Sequence, residues 1–273
     1  MGGAFEARSV WITGASSGLG RAMALEFARR GAHVALSARR VAELEAVARE
    51  IEGAGGRALV VPCDCTHEDA IEGAVARVVE TFGRLDVAVA NAGYSVGGPV
   101  ERVTAEQWRR QLDVNVVGVA LTAKHAIPHL RHTRGRLALV GSVAALALFP
   151  GFAPYQASKA AVLALGRTLA MELAAEGVSC TTLQPGFVAT DIARVDNDGR
   201  RDPAREDKRP AALMWEVEPA ARVMVDAIER RRVEATFTGH GKVGAFLGRH
   251  APWLFQLLGP RLAKGSAHAR DAS

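Results

Sequence analysis

Thr13-Gly14-Ala15-Ser16-Ser17-Gly18-Leu19-Gly20 is the stretch on which the fold turns. It follows an apolar run, Ser9-Val10-Trp11-Ile12-Thr13, and opens a stretch of helical character at 18–30. A second apolar run, His33-Val34-Ala35-Leu36-Ser37, comes next. Glycines at such a turn let the backbone bend sharply and approach a pyrophosphate closely. The helix starting there offers free N–H groups and a partial positive charge. Spaced glycines alone describe any tight strand-to-helix turn. With a strand before, a helix after and a strand again, they become a candidate phosphate cradle.

The same alternation continues outward. Apolar runs at 58–63, 85–90, 137–142 and 178–184 read as strands, with a short strand near 235–238. Helical stretches are expected at 41–53, 68–82, 104–132 (with Pro128 inside), 155–176 and 219–230. Strands alternating with helices imply parallel pairing through right-handed crossovers. Nearly all-apolar strands imply burial on both faces. The expected fold is α/β: a single-domain, doubly wound parallel sheet (Rossmann fold) of about seven strands with helices on both faces. Residues 1–240 are expected to form the catalytic domain, with a substrate loop at about 194–215. Residues 194–210 are dense in charge, Asp, Asn, Gly and Pro, and read as a mobile loop or lid. Residues 241–273 form an amphipathic extension and tail. There Val243, Phe246, Leu247, Trp253, Leu254, Leu257, Leu258 and Leu262 are interleaved with Arg249, His250, Arg261 and Lys264, and 265–273 reads as disordered.

The chain has 273 residues, 49% hydrophobic and 23% charged, with a net charge of +5. The basic residues are scattered and form no single arm, so nucleic acid is not an expected partner. Cys63, Cys65 and Cys180 make no disulfide framework and no zinc set. With no secretory segment in view, they point to a reducing, cytoplasmic setting. His125 and His129 have helical spacing for a metal but lack a supporting ligand set, and no metal is expected.

Three clusters carry the chemistry. The second strand ends Ser37-Ala38-Arg39-Arg40, without the acidic residue that holds the ribose hydroxyls of NAD. An arginine fork there grips a 2′-phosphate, so Arg39, helped by Arg40 and Ser37, points to NADP(H). Asp64, beside Cys65, is placed to accept from an adenine amino group, with Thr66 as the better N-cap of the next helix. Asn91-Ala92-Gly93 closes the fourth strand with small residues that suit a cofactor running past. Tyr155 and Lys159 stand four apart and share a helix face. Ser142 ends a buried strand at the sheet edge where ligands sit. A carbonyl that receives a hydride needs such an acid and such a donor.

The glycine spacing with Thr13, then Asn115, Ser142, Tyr155 and Lys159 in order, resembles the short-chain dehydrogenase/reductase family of the classical type, over residues 9–192. The resemblance implies Tyr155 as acid/base and Lys159 as the group that lowers its pKa and holds the nicotinamide ribose. It implies Ser142 as donor to the substrate oxygen and Asn115 as anchor of a proton-relay water. Gly14, Ser16, Ser17, Gly18, Leu19 and Gly20 would hold the phosphates. In Gln184-Pro185-Gly186-Phe187-Val188-Ala189-Thr190, Pro185, Gly186 and Val188 would cover the nicotinamide, with Thr190 near the phosphates; Gln184 departs mildly from the family pattern. The resemblance further implies a homodimer or homotetramer built on the long helices.

The expected activity is NADPH-dependent interconversion of a ketone or aldehyde and an alcohol. Tyr94, Val143, Ala144, Phe149, Phe152 and Phe187 surround the expected pocket and favour a hydrophobic small-molecule substrate. The alternative is a non-catalytic NADP-binding, redox-sensing module, which has no need of the Tyr-Lys-Ser set. For the extension, packing on the pocket or a second subunit is the first expectation. A weak peripheral contact with a membrane is the second.

Overall fold

The computed structural model describes residues 3–202, 204–207 and 209–259. The expected tail at 265–273, with Arg261, Leu262 and Lys264, lies outside them. Seven strands form one parallel sheet: β1 (Ser9–Thr13), β2 (His33–Ser37), β3 (Arg57–Val60), β4 (Val87–Ala90), β5 (Arg136–Val140), β6 (Ser179–Gln184) and β7 (Glu234–Thr236). Their order is β3-β2-β1-β4-β5-β6-β7. Strand order therefore reverses beside β1, and the carboxyl ends of β1 and β4 open the crevice where such folds bind ligands.

Helices cover both faces. α1 (Gly18–Arg29), α2 (Val41–Gly53) and α7 (Val217–Glu229) enclose one core, with Ile12, Met23, Phe27, Leu36, Leu44 and Met224. α3 (Glu68–Phe82), α4 (Ala105–Leu112), α5 (Gly118–Thr133) and α6 (Ala153–Glu172) follow on the chain. The second core gathers Trp11, Ile71, Val78, Leu130, Leu137 and Val162. β1 divides its side chains between the two cores: Val10 and Ile12 enter one and Trp11 the other, as the two-residue period of a strand requires.

Three boundaries depart from the sequence reading. The long stretch at 104–132 is two helices joined by a π-helical turn, Asp113–Val117. Thr104 and Gln107 close its start with a capping box. The N-cap of α3 is His67, not Thr66, because Thr66 is engaged by Asp64. A further helix, α8 (Gly239–His250), begins two residues past the last strand, its N-cap Thr238 accepting from Gly241 N–H. Helical backbone resumes at 253–259. Among the described residues, no helix is long and apolar enough to cross a membrane.

Candidate active site

The carboxyl edge of the sheet opens into a cavity of about 1900 Å³. At one end lies the β1–α1 turn. Gly14 (φ +68°) and Gly18 (φ +54°) take left-handed backbone, which glycine adopts without strain. A Cβ at Gly20 would fall 2.2 Å from the Gly14 carbonyl oxygen, so only glycine allows this closure. Asn91 straps the turn to the end of β4: its Nδ2 donates to the carbonyls of Thr13 (2.9 Å) and Gly14 (3.1 Å). The Thr13 hydroxyl accepts from Asn91 N–H (3.1 Å) and Ala92 N–H (3.3 Å). Leu19 packs into the core beneath.

The first turn of α1 carries no acidic residue, and its N-cap Ser17 makes no side-chain cap bond. Instead the hydroxyls of Ser16 and Ser17 each accept from Arg40 Nη2 at 2.9 Å. An uncapped helix start, an arginine drawn across it and a cavity in front fit the phosphates of a dinucleotide. Arg39 is exposed at the cavity wall while Arg40 is half-buried and also pairs with Glu43 at 3.3 Å. Ser37 does not join them. It is buried, its hydroxyl accepting from Trp11 Nε1 (2.9 Å) and donating to Val61 O (2.7 Å).

Asp64 Oδ1 accepts from the backbone and hydroxyl of Thr66 at 3.0 and 2.8 Å. Burial pushes its carboxyl up, but these bonds and the Arg39 charge outweigh it and hold the group below the ordinary carboxylate range. Cys65 and Cys63 border the same wall as buried thiols, pushed up by burial to about 12 and about 11, and are therefore unreactive small hydrophobes.

Ser142, Tyr155 and Lys159 line the other end, and Asn115 lies behind that wall beside Gly93. Asn115 sits in the π-helical turn and is fully buried. Its Oδ1 accepts from Tyr94 N–H (3.0 Å), and its Nδ2 donates to Tyr94 O (2.9 Å) and to the Ser158 hydroxyl (3.1 Å). Such turns often mark functional sites because they re-aim side chains out of helical register. Ser142, just past β5, accepts from Ala144 N–H at 3.1 Å. Lys159 is 4% exposed; its Nζ donates to Val140 O at 2.8 Å and lies 5.8 Å from the Tyr155 ring centroid. Burial lowers Lys159 from 10.5 to about 8. Burial raises Tyr155 above the ordinary phenol range, while hydrogen bonding from Ser142 and the Arg209 charge pull it back. Ser142 and Arg209 are thus groups that favour the phenolate, while Lys159 Nζ is turned onto the β5 backbone.

The remaining expected positions border the same cavity. Gly93 lies beside Asn115 and Lys159. Val143 N–H donates to Pro185 O at 3.0 Å, tying β5 to the Pro185–Gly186 turn. Tyr94 is buried, and its hydroxyl has no partner among the described residues. Phe149 and Phe152 stand exposed at the mouth, Phe149 meeting Phe255 edge-to-face at 6.4 Å. The charged loop crosses the opening and is pinned there: Asn197 exchanges two hydrogen bonds with the Gly97 backbone, at 3.0 and 2.8 Å.

Two residues escaped the sequence reading. Arg209, paired with Asp207 at 2.6 Å, donates to the carbonyls of Val188 and Thr190 at 3.0 Å each. Nothing separates it in sequence from the four other arginines between 194 and 210. His240 Nε2 accepts from Phe187 N–H at 2.8 Å, and its ring stacks on Phe187 at 5.2 Å. Burial lowers its pKa, which suits an acceptor nitrogen. A signal existed here: polar residues just past a strand's carboxyl end lie at the ligand edge, and His240 follows β7 closely.

A family model described as short chain dehydrogenase matches residues 8–201. A cis-4-hydroxycyclohexanecarboxylate dehydrogenase of Sinomonas cyclohexanicum is 36% identical over 241 residues, 84% of this chain and 96% of that one. A short chain dehydrogenase/reductase of Burkholderia phymatum, solved in complex with NAD, superposes with TM-score 0.82 at 26% identity, covering 93% of this chain and 96% of that one. A short chain dehydrogenase of Burkholderia cenocepacia J2315, in complex with NADP, gives TM-score 0.78 at 29% identity, covering 88% and 99%. Sheet order, glycine turn and family match together make this chain a member of the short-chain dehydrogenase/reductase family of oxidoreductases.

Proposed function

We propose that the protein is an NADPH-dependent oxidoreductase that interconverts a ketone or aldehyde and an alcohol on a hydrophobic substrate, with Tyr155 exchanging the proton. The observation that carries this reading is the convergence of Tyr155, Ser142 and Lys159 on one cavity whose far end is the glycine turn, with Asn115 buried behind Tyr94. A nicotinamide dinucleotide, when bound, supplies or takes the hydride.

The chain's own groups do the rest. Gly14, Ser16, Ser17, Gly18, Leu19 and Gly20 hold the phosphates by backbone and hydroxyl. Arg39 and Arg40, with no acidic residue at the end of β2 itself, receive a 2′-phosphate. Asp64 and Cys65 flank the adenine. Asn91, Ala92, Gly93, Pro185, Gly186, Val188 and Thr190 wall in the remainder. Tyr155, whose phenol burial pushes further up, gives its proton to the developing alkoxide. Ser142 donates to the same oxygen, Lys159 holds the ribose side, and Asn115 orders the proton path.

Tyr94, Val143, Ala144, Phe149, Phe152 and Phe187 give an apolar substrate wall. Similarity to a dehydrogenase named for an alcohol on a cyclohexane ring supports that substrate class. The catalytic unit is residues 1–240, with 241–273 as an extension. Exposed Val117 and Met171, on or beside the long helices, favour assembly of copies through that side.

Nicotinamide absorbance with a panel of aliphatic, aromatic and steroid-like ketones, NADPH and NADH in parallel, tests the reading. Turnover with NADPH is expected to fall by about 10²–10⁴ in Tyr155→Phe while cofactor binding persists. Unchanged turnover in that variant would overturn the assignment.

A further inference from the structure

α8 is built inside out. A surface helix turns its large apolar side chains inward and its small or polar ones to water. Here the inward face is Gly241, Gly244, Ala245 and Gly248, at helical spacing. A Cβ at Gly241 would lie 3.0 Å from Val143 Cγ2, at Gly244 3.3 Å from Ala147 Cβ, and at Gly248 2.3 Å from Leu146 O. The helix is therefore pressed onto the segment after β5 by its missing side chains; of its large ones Leu247 is half-buried at the cavity, while Val243 and Phe246 stay exposed. Val243 and Phe246 on α8, and Trp253, Leu257 and Leu258 just after it, are each between 45% and 64% exposed. Leu148, Phe149 and Phe152 extend the patch around the cavity mouth. Monomers rarely leave so many large apolar side chains side by side without a partner.

Charge selects the partner. From Ala235 to Arg270 the sequence has no carboxylate and carries Lys242, Arg249, Arg261, Lys264 and Arg270. Lys242 is exposed beside Val243. Arg249 is joined to Glu234, which also pairs with Arg167, leaving a net positive charge at that corner. A two-fold contact with a second copy sets the same patch against itself, so Lys242 and the net positive corner at Arg249 would face their own copies, with no carboxylate on residues 235–259 to answer them. An anionic bilayer answers both features, because aromatic and aliphatic side chains enter the headgroup boundary while lysine and arginine meet its charge.

We propose that α8 and the helical turn at 253–259 dock on the surface of an anionic lipid bilayer, bringing the cavity mouth against the lipid. Flotation of the full chain with phosphatidylcholine vesicles, with and without phosphatidylserine, tests this. The protein should float with the anionic vesicles and be partly released by raising salt from roughly 0.1 M to 1 M, which shortens the screening length. Phe246→Ser with Trp253→Ser, both outside the cavity lining, should weaken flotation by about tenfold or more and leave the melting temperature unchanged. Lys242→Glu should weaken it on anionic vesicles alone.

Failure of the wild type to float would overturn the proposal. So would a double variant that floats normally but loses an oligomer in sedimentation velocity, which would make the patch a subunit interface. Flotation needs neither substrate nor cofactor, so its failure leaves the oxidoreductase reading standing.

Discussion

Lys159 carries a charge that the fold must bury, and removing it should make the cofactor-free protein more stable. The side chain is 4% exposed and titrates at about 8 instead of 10.5, with burial as the cause. At 1.36 kcal/mol per pH unit, holding the ammonium below pH 8 costs the folded state about 3 kcal/mol. Lys159→Met keeps the aliphatic stem and deletes the charge, but leaves Val140 O without the bond it accepts at 2.8 Å. That loss costs about 1–3 kcal/mol, so the variant should gain up to about 2 kcal/mol at pH 7.

The pH dependence fixes the cause. Between pH 8 and 10.5 the unfolded lysine is protonated and the folded one is not. Wild-type stability therefore rises with pH across that window, and the full penalty applies below it. At pH 9.5 the advantage of the variant should shrink by about 2 kcal/mol and disappear. Urea unfolding of both proteins at the two pH values measures this, with absorbance assays showing lost turnover. A variant less stable than wild type at pH 7, or a difference that ignores pH, would refute the argument that burial dominates at Lys159.

Two further substitutions test the site's other walls. Replacing Arg39 and Arg40 by Ala should weaken NADPH binding by about tenfold or more for each bond lost to a charged group, with little change for NADH. Equal loss for both cofactors, read by fluorescence titration, would mean that Arg40 only braces Ser16 and Ser17. His240→Ala leaves Phe187 N–H unpaired and should cost about 1–3 kcal/mol, whereas His240→Gln retains a neutral acceptor. Because the folded His240 is lowered below 6.5, wild type should lose stability as pH falls below 6.5, and the Gln variant should lose less; identical acid profiles in thermal melts would count against the Phe187 bond.

What the sequence made legible was what local pattern controls. β1 and β2 read as apolar runs because both faces of the sheet are covered, and α2 and α3 begin and end where periodicity places them. The glycine turn was readable because φ above zero and a 2.2 Å approach leave the chain no other residue. Elements set by distant contacts were not. Glycines at 239, 241, 244 and 248 argue locally against a helix, and α8 forms because the surface after β5 accepts them. By its place at the end of β2 Ser37 reads as a phosphate helper, but Trp11, a neighbour only across the sheet, donates to its hydroxyl. The π-helical turn at Asn115 is likewise invisible to a 3.6-residue period that runs straight through it.

The cavity is built in two unlike halves, and this bears on where specificity resides. The half from β1 to β6 places its reacting groups by strand ends and by the helix face that carries Tyr155 and Lys159. The half from the charged loop and α8 makes several of its ties to backbone atoms: Arg209 to the carbonyls of Val188 and Thr190, Asn197 to both polar groups of Gly97, His240 to Phe187 N–H. Backbone partners are indifferent to the side chains beside them. Residues at 194–215 and along α8 can therefore change what they present to the cavity without moving Tyr155 or the glycine turn. Exchanging Leu213 or Val243, which line the cavity and make no such backbone bond through their side chains, should accordingly shift KM among ketones while leaving NADPH affinity within about twofold. A parallel loss of NADPH affinity in those variants would show that the two halves are coupled after all.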